Sequence, residues 1–256
     1  PNAHGYSNVR TIGIAFPDTV RHIMQKPDTS LQFRTAWRAL GRLRIDPDNT
    51  DEVFVIIRAL SGNSGERHYR KFKKTEAGQR ILAEKRNLLD ILIDHDYLRS
   101  LPQESLGHQY LLFTEREKIT AEGLVAASES GGRTEVGENR QRFFDRLRDC
   151  HDLQHVTTGW GRDLLGEGSV LAFSIAQKWH HGIALIVAMA FWTGGPEMRG
   201  MIRRAWRRGK QSECLEFADW EGLLPLPLAQ VRQQLGLGEP PVYEPVWSVG
   251  AAAAAG

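Results

Sequence analysis

The sequence is short of the features that place a chain in a class at first sight. It has two cysteines in 256 residues, Cys150 and Cys214, without framework spacing. That excludes a disulfide-stapled scaffold and a thiolate metal cluster, and a reducing compartment is expected. No apolar run approaches the roughly 20 residues of a membrane-spanning helix; the longest, GIALIVAMAFW from Gly182 to Trp192, has 11. Charges and prolines interrupt the first 30 residues, so no secretory leader is expected there. Lys plus Arg number 33 against 31 Asp plus Glu, a net charge of +2 that argues for no nucleic-acid partner. Walker loop, GxSxG elbow, GxGxxG fingerprint and internal repeat are all missing.

What is present is helical periodicity. With 41% apolar residues the chain can bury one full core. Phe33, Ala36, Trp37, Leu40 and Leu43 recur at helical steps, and Asn49 with Glu52 resembles a capping box opening a helix through Leu60, which Gly62 stops. Glu66–Lys74 is basic and reads as a solvated connection, with a phosphate or lipid-headgroup site as the alternative. Thr75 caps the next helix. Leu88–Leu101 forms another before Pro102, and Leu106–Phe113 a third, with Gly107 permitting close contact. Residues 128–139 are a polar surface loop. From Met198 to Lys210, apolar Met198, Met201, Ile202 and Trp206 oppose arginines, a pattern of solvated or membrane-surface helices. Pro225 and Pro227 start a short helix from Leu228 to Leu235.

The densest chemistry lies between Asn139 and Glu167. Phe143, Phe144, Leu147, Cys150 and Leu153 mark one apolar stripe, with Cys150 a buried structural residue, and the same helix carries His151, Asp152 and His155 within an arc of roughly 100°. Gly159 and Gly161 should turn the chain so that a second helix returns Glu167 over the first. Two imidazoles and two carboxylates suit zinc, with iron and manganese left open. The expectation is an all-α single domain with a metal site between two helices. The alternative for a bare HDxxH is a pair of core histidines bonded to Asp152 and backbone.

HDxxH followed by eleven residues and Glu resembles the signature of the coenzyme Q biosynthesis protein 4 family. Arg148 and Asp149 before it, the segment LPQESLGHQY and the closing DWEGLLPLPLAQVRQQLG resemble that family too. The resemblance covers residues 34–236, leaving an N-terminal extension (1–33) and an irregular tail (237–256). Arg162 and Asp163 depart from it, as does HHGIA at 180–184. It implies zinc held by His151, Asp152, His155 and Glu167, and a prenylated benzoquinone precursor as ligand. The implied role is C1 decarboxylation of a polyprenyl-hydroxybenzoate in ubiquinone biosynthesis, with or without coupled C1 hydroxylation. In that reading Asp152 binds metal or orients the proton, and Arg148 steers an acidic substrate. Ile183, Ile186 and Phe191 wall the prenyl tail. Also implied are other ubiquinone-biosynthesis proteins and further copies of the chain as partners, and peripheral attachment to a membrane. The surface would be the cytoplasmic face of the inner membrane in a bacterium, or the matrix face of the inner mitochondrial membrane in a eukaryote. The alternative is a non-catalytic prenyl-lipid scaffold with a structural metal.

Overall fold

The structure is a computed structural model that describes residues 30–46, 49–119 and 137–247. The N-terminal segment through residue 29, most of the polar loop at 128–139 and the end of the tail from 248 lie outside the described residues. Among the described residues there is no strand; an isolated bridge joins Ser105 and Pro227. The fold is all-α.

Among the described residues the first four helices are α1 (Phe33–Ile45), α2 (Thr50–Ala59), α3 (Ser64–Phe72) and α4 (Glu76–Ala83). Asn49 caps α2 by accepting from the Glu52 amide, but the Glu52 side chain turns away from the cap to pair with Arg42. Half of the expected box is therefore formed. The stretch expected to be a basic connection is α3, because His68, Tyr69 and Phe72 fall at helical steps and are buried beneath the surrounding Arg and Lys. Next come α5 (Leu88–Leu92) and α6 (His95–Ser100), which divide the single helix expected over Leu88–Leu101. The break follows from Asp94, whose carboxylate accepts from the Tyr97 amide at 2.9 Å and starts a new helix.

The remainder is α7 (Leu106–Glu117), α8 (Glu138–Asp149), α9 (His151–Thr158), α10 (Leu164–Gln177), α11 (His181–Thr193), α12 (Pro196–Gln211), α13 (Trp220–Leu223) and α14 (Leu228–Gln234). The main core gathers α7, α9, α10 and α12 around Tyr110, Leu153, Phe173, Met201 and Trp220. Each large apolar side chain fully buried there contributes about 1.5–3 kcal/mol. The α10–α12 contact depends on Gly209, where an added Cβ would stand 2.6 Å from the Phe173 carbonyl oxygen. A second core lies between α1, α2 and α11, built on Ala36, Ala39, Leu43, Ile56 and Ile186. The expected α1 stripe divides here: Ala36 and Leu43 face in, while Phe33 and Trp37 are 64% and 72% exposed. Against the main core, α9 packs on α7 and α10.

The start of α11 is a titratable cap. His180 Nδ1 accepts from the amides of Gly182 and Ile183 at 3.2 and 3.4 Å. Its Nε2 lies 3.3 Å from Ser61 Oγ, whose own proton goes to the Ile57 carbonyl, so the ring is neutral with its proton on Nε2. Burial, reinforced by the charge of Lys178, lowers the His180 pKa to about 4. The unfolded chain, with a histidine pKa near 6.5, binds the extra proton first. This cap therefore stabilises the fold fully above pH 6.5 and loses its contribution as pH falls toward 4. Its share of the loss between pH 7 and 5 is on the order of 2 kcal/mol. His180→Asn, which keeps a side-chain acceptor without the titration, is expected to flatten the urea-denaturation stability curve in that window. An unchanged slope would remove His180 as its source.

Candidate metal centre

The helix expected to run unbroken through the histidines bends at Cys150, which has φ −80° and ψ 0° and divides α8 from α9. The bend costs no backbone pairing at this residue. Its amide donates to the Arg146 carbonyl at 3.0 Å, and its carbonyl accepts from the Gln154 amide at 3.1 Å. Burial pushes the Cys150 thiol up to about 12, so it is a packing residue and no ligand. Gln154 ties α9 to α10, donating to Cys150 Sγ and accepting from Ser174. The far end of α9 stops at Gly159, in the left-handed region at φ +80°. Its last carbonyls, those of Val156, Thr157 and Thr158, accept from Arg232 and Arg208. Those two arginines thus satisfy the groups a helix end leaves open.

The chain then turns through Trp160 and Gly161 to Asp163, whose carboxylate caps α10 by accepting from the Leu165 and Gly166 amides. One turn later Glu167 faces α9. His155, with a fully buried side chain, directs Nδ1 at the Trp160 carbonyl 3.0 Å away. That carbonyl can only accept, so the proton sits on Nδ1 and the Nε2 lone pair points the other way. Nε2 of His155 lies 3.2 Å from Nε2 of His151. Glu167 Oε2 is 3.5 Å from the first and 3.7 Å from the second. A tetrahedral ion with bonds of about 2.0–2.1 Å holds its ligand atoms roughly 3.3–3.4 Å apart. The His151–His155–Glu167 triangle matches that spacing, and its donor set fits zinc.

The imidazoles and the carboxylate also stabilise one another's charge. Burial works against a charged His155, yet the charge and hydrogen bond of Glu167, joined by the charge of Asp152, raise its pKa overall. Burial likewise opposes ionisation of Glu167, but the two imidazoles outweigh it and hold the carboxyl well below the usual range. The core-histidine alternative is met in part: His155 is buried and bonded to the Trp160 backbone carbonyl, while its Nε2 faces His151 and Glu167 and not Asp152. Phe113 stacks near the His155 ring and restrains it, at 6.0 Å between centroids.

The other expected site residues fall elsewhere. Asp152 is buried on α9 outside the ligand triangle, acting on His155 through its charge. Arg148 pairs with Asp149 at 2.7 Å and with Asp145. The cation beside Glu167 is Arg162, with Nε 3.9 Å from Oε1 and a side chain 37% exposed. Ile186 belongs to the α1–α2–α11 core, and Ile183 and Phe191 pack against the main core. A different stripe of α11, His181, Ala184 and Leu185, lines a cavity of about 770 Å³ together with Phe33, Trp37 and Trp179. Sequence reasoning also missed the Trp160 carbonyl, since a backbone acceptor leaves no mark in residue type.

Residues 27–241 match the family model described as Coenzyme Q (ubiquinone) biosynthesis protein Coq4. The mitochondrial ubiquinone biosynthesis protein COQ4 homolog of Rattus norvegicus is 28% identical, over 90% of this chain and 85% of its own length. Its counterpart in Drosophila ananassae is 27% identical over 75% of this chain and 73% of its own. Against the longer proteins of Lodderomyces elongisporus and Candida tropicalis, the match spans 44% and 55% of their length. A crystal structure from Nostoc punctiforme, provisionally described as a ubiquinone biosynthesis protein, superposes with a TM-score of 0.61. It is 20% identical, and the match covers 82% of this chain and all of that one. At that identity the likeness is one of fold.

Untagged protein analysed by plasma mass spectrometry is expected to carry about one divalent ion per chain. His155→Ala and Glu167→Ala should each lose most of it while keeping their helical circular dichroism. Equal metal content in all three proteins would dissolve the site.

Proposed function

The chain belongs to the Coq4 family and takes part in ubiquinone biosynthesis; we propose that its reaction is metal-dependent removal of the C1 carboxylate from a polyprenyl-hydroxybenzoate. The observation that carries this reading is the triangle of His151, His155 and Glu167, with His151 and Glu167 about one-third exposed and His155 sealed. That leaves an approach for a ligand from one side. A zinc ion bound there supplies Lewis acidity toward a carboxylate or phenolate oxygen.

The chain's own residues do the rest. Arg162, beside Glu167 and partly in solvent, attracts the acidic head of the substrate, a role that Arg148, engaged by two neighbouring aspartates, fills less well. The negative charge of Asp152 adds to that of Glu167 in raising the proton affinity of His155, and a more basic imidazole is a stronger ligand. In the reaction a proton taken up from solvent adds to ring C1, assisted by electron release from the para oxygen. The C1–carboxylate bond then breaks, its electron pair restores the aromatic ring, and carbon dioxide leaves. Coupled hydroxylation would additionally take oxygen as oxidant and a redox-capable ion, iron or manganese, in place of zinc.

The lipid half of the substrate matches a second feature. No helix among the described residues is long and apolar enough to cross a membrane. Yet α11 is apolar on every side and buries only Gly182, Ile186 and Val187. Helices that are apolar all round are ordinarily enclosed. Its exposed side runs from the Phe33–Trp37–Trp179 cavity, flanked by Arg34 and Arg38, toward Trp192, which is 79% exposed. Tryptophan and arginine bordering apolar surface suit the interface of an anionic bilayer. We therefore extend the proposal to peripheral attachment, on the matrix face of the inner mitochondrial membrane in a eukaryote and the cytoplasmic face of the inner membrane in a bacterium. There the chain would meet other ubiquinone-biosynthesis proteins and further copies of itself.

Metal-loaded protein mixed with anionic liposomes carrying a prenylated 4-hydroxybenzoate, isotopically labelled in the carboxylate, is expected to float with them and release labelled carbon dioxide. Release should fall at least tenfold in Glu167→Ala. Protein that floats and retains the lipid, yet frees no label with or without oxygen, would instead support the scaffold.

A further inference from the structure

The metal centre is assembled from two helices joined by a five-residue loop, and a segment distant in sequence clamps that loop. After Gly238 the chain runs back across it. Pro240 crowds Gly159 so closely that a Cβ there would lie 2.5 Å from the proline ring. Three residues on, the Tyr243 hydroxyl accepts from the Gly161 amide at 2.8 Å and donates to Asp163 Oδ2 at 2.7 Å. Val246 finishes the strap: its amide donates to Asp163 Oδ1 at 3.1 Å and its carbonyl accepts from Leu164 at 2.8 Å.

Both halves of the ligand triangle hang from the two residues this phenol grips. Gly161 follows Trp160, whose carbonyl fixes the tautomer and direction of His155. Asp163 begins α10, and its own carbonyl accepts from the Glu167 amide at 2.9 Å. We propose that Tyr243 is a positioning residue for the metal centre, locking the His155 side of the loop to the Glu167 side so that their ligand atoms meet. This rests on the metal reading of the His151–His155–Glu167 triangle.

Asp163 is 1% exposed, and Tyr243 supplies the partner of its second oxygen. Removing the phenol oxygen strands a buried carboxylate oxygen and an amide, and both would relax by moving the loop. The phenol also presses on the first turn of α10, since a Cβ at Gly166 would stand 2.8 Å from its oxygen. Burial, the hydrogen bond to Asp163 and the charges of Asp163 and Glu167 raise the phenol's pKa, so it stays protonated and able to donate. The family match ends at residue 241, so the phenol lies beyond the matched residues.

The test compares the full-length chain with Tyr243→Phe and with Val242→Ala, a substitution at a fully exposed neighbour on the same strap. Zinc affinity is measured by chelator competition, geometry by the visible spectrum of the cobalt-substituted protein, and fold by thermal melting of the metal-free forms. Tyr243→Phe is expected to weaken zinc by roughly 10–100-fold, the usual consequence of losing an outer-shell partner, and to alter the cobalt bands. Val242→Ala should do neither. Affinity and cobalt spectrum unchanged in Tyr243→Phe would overturn the proposal, as would a lower melting temperature alone. Should Tyr243→Phe not fold, Asp163→Asn breaks the same link by replacing the oxygen that accepts from the phenol, and the same fall in affinity is required of it. Wild-type protein that binds neither metal would instead overturn the metal reading beneath.

Discussion

A buried imidazole must have both nitrogens satisfied, and the arrangement of His155 follows from that constraint. One nitrogen is taken by the Trp160 carbonyl at 3.0 Å, and the other is left facing His151 and Glu167. The first contact exists only because α9 ends at Gly159 and the chain doubles back. The second exists only because Asp163 starts α10 where Glu167 will land one turn later. The Gly159 turn, the arginines on the last carbonyls of α9 and the α10–α12 packing at Gly209 all hold the two helices in the relation that this one side chain requires.

Much of this is legible in the sequence because it is written in local patterns. His151 and His155 share a helix face by their i, i+4 spacing, and Gly159 and Gly161 announce the reversal before Glu167. Thr75, Asn49 and Pro227 begin helices where their side chains say they should. Local patterns fail where tertiary contacts decide. The Glu66–Lys74 stretch looks solvated because its cations outnumber its apolar residues, yet His68, Tyr69 and Phe72 are enough to bury one face. The charges stand on the other. The divided helix at Asp94 and the bend at Cys150 are local choices that a continuous apolar stripe conceals.

What sequence spacing could not reveal is any contact between segments far apart in the chain. Asp152 shares the histidines' arc, but the returning helix offers its carboxylate to His151 and His155, and the triangle closes without the aspartate. Arg148 sits next to the signature and is drawn off by Asp149 and Asp145, whereas Arg162, across the turn, reaches Glu167. The apolar run at 183–192 was recognisable as a helix, but which of its stripes faces a cavity depends on where α1 lies. The stripe through Ala184 and Leu185 faces the cavity, while Ile186 serves the core.

The central claim is that one ion sits among His151, His155 and Glu167, and X-ray absorption at the K-edge of the bound metal addresses it most directly. The full-length, metal-loaded chain should show nitrogen and oxygen neighbours at about 2.0–2.1 Å, with the multiple-scattering pattern of two imidazoles and no sulfur shell. A sulfur shell, or oxygen neighbours without imidazole scattering, would place the ion elsewhere and contradict the claim.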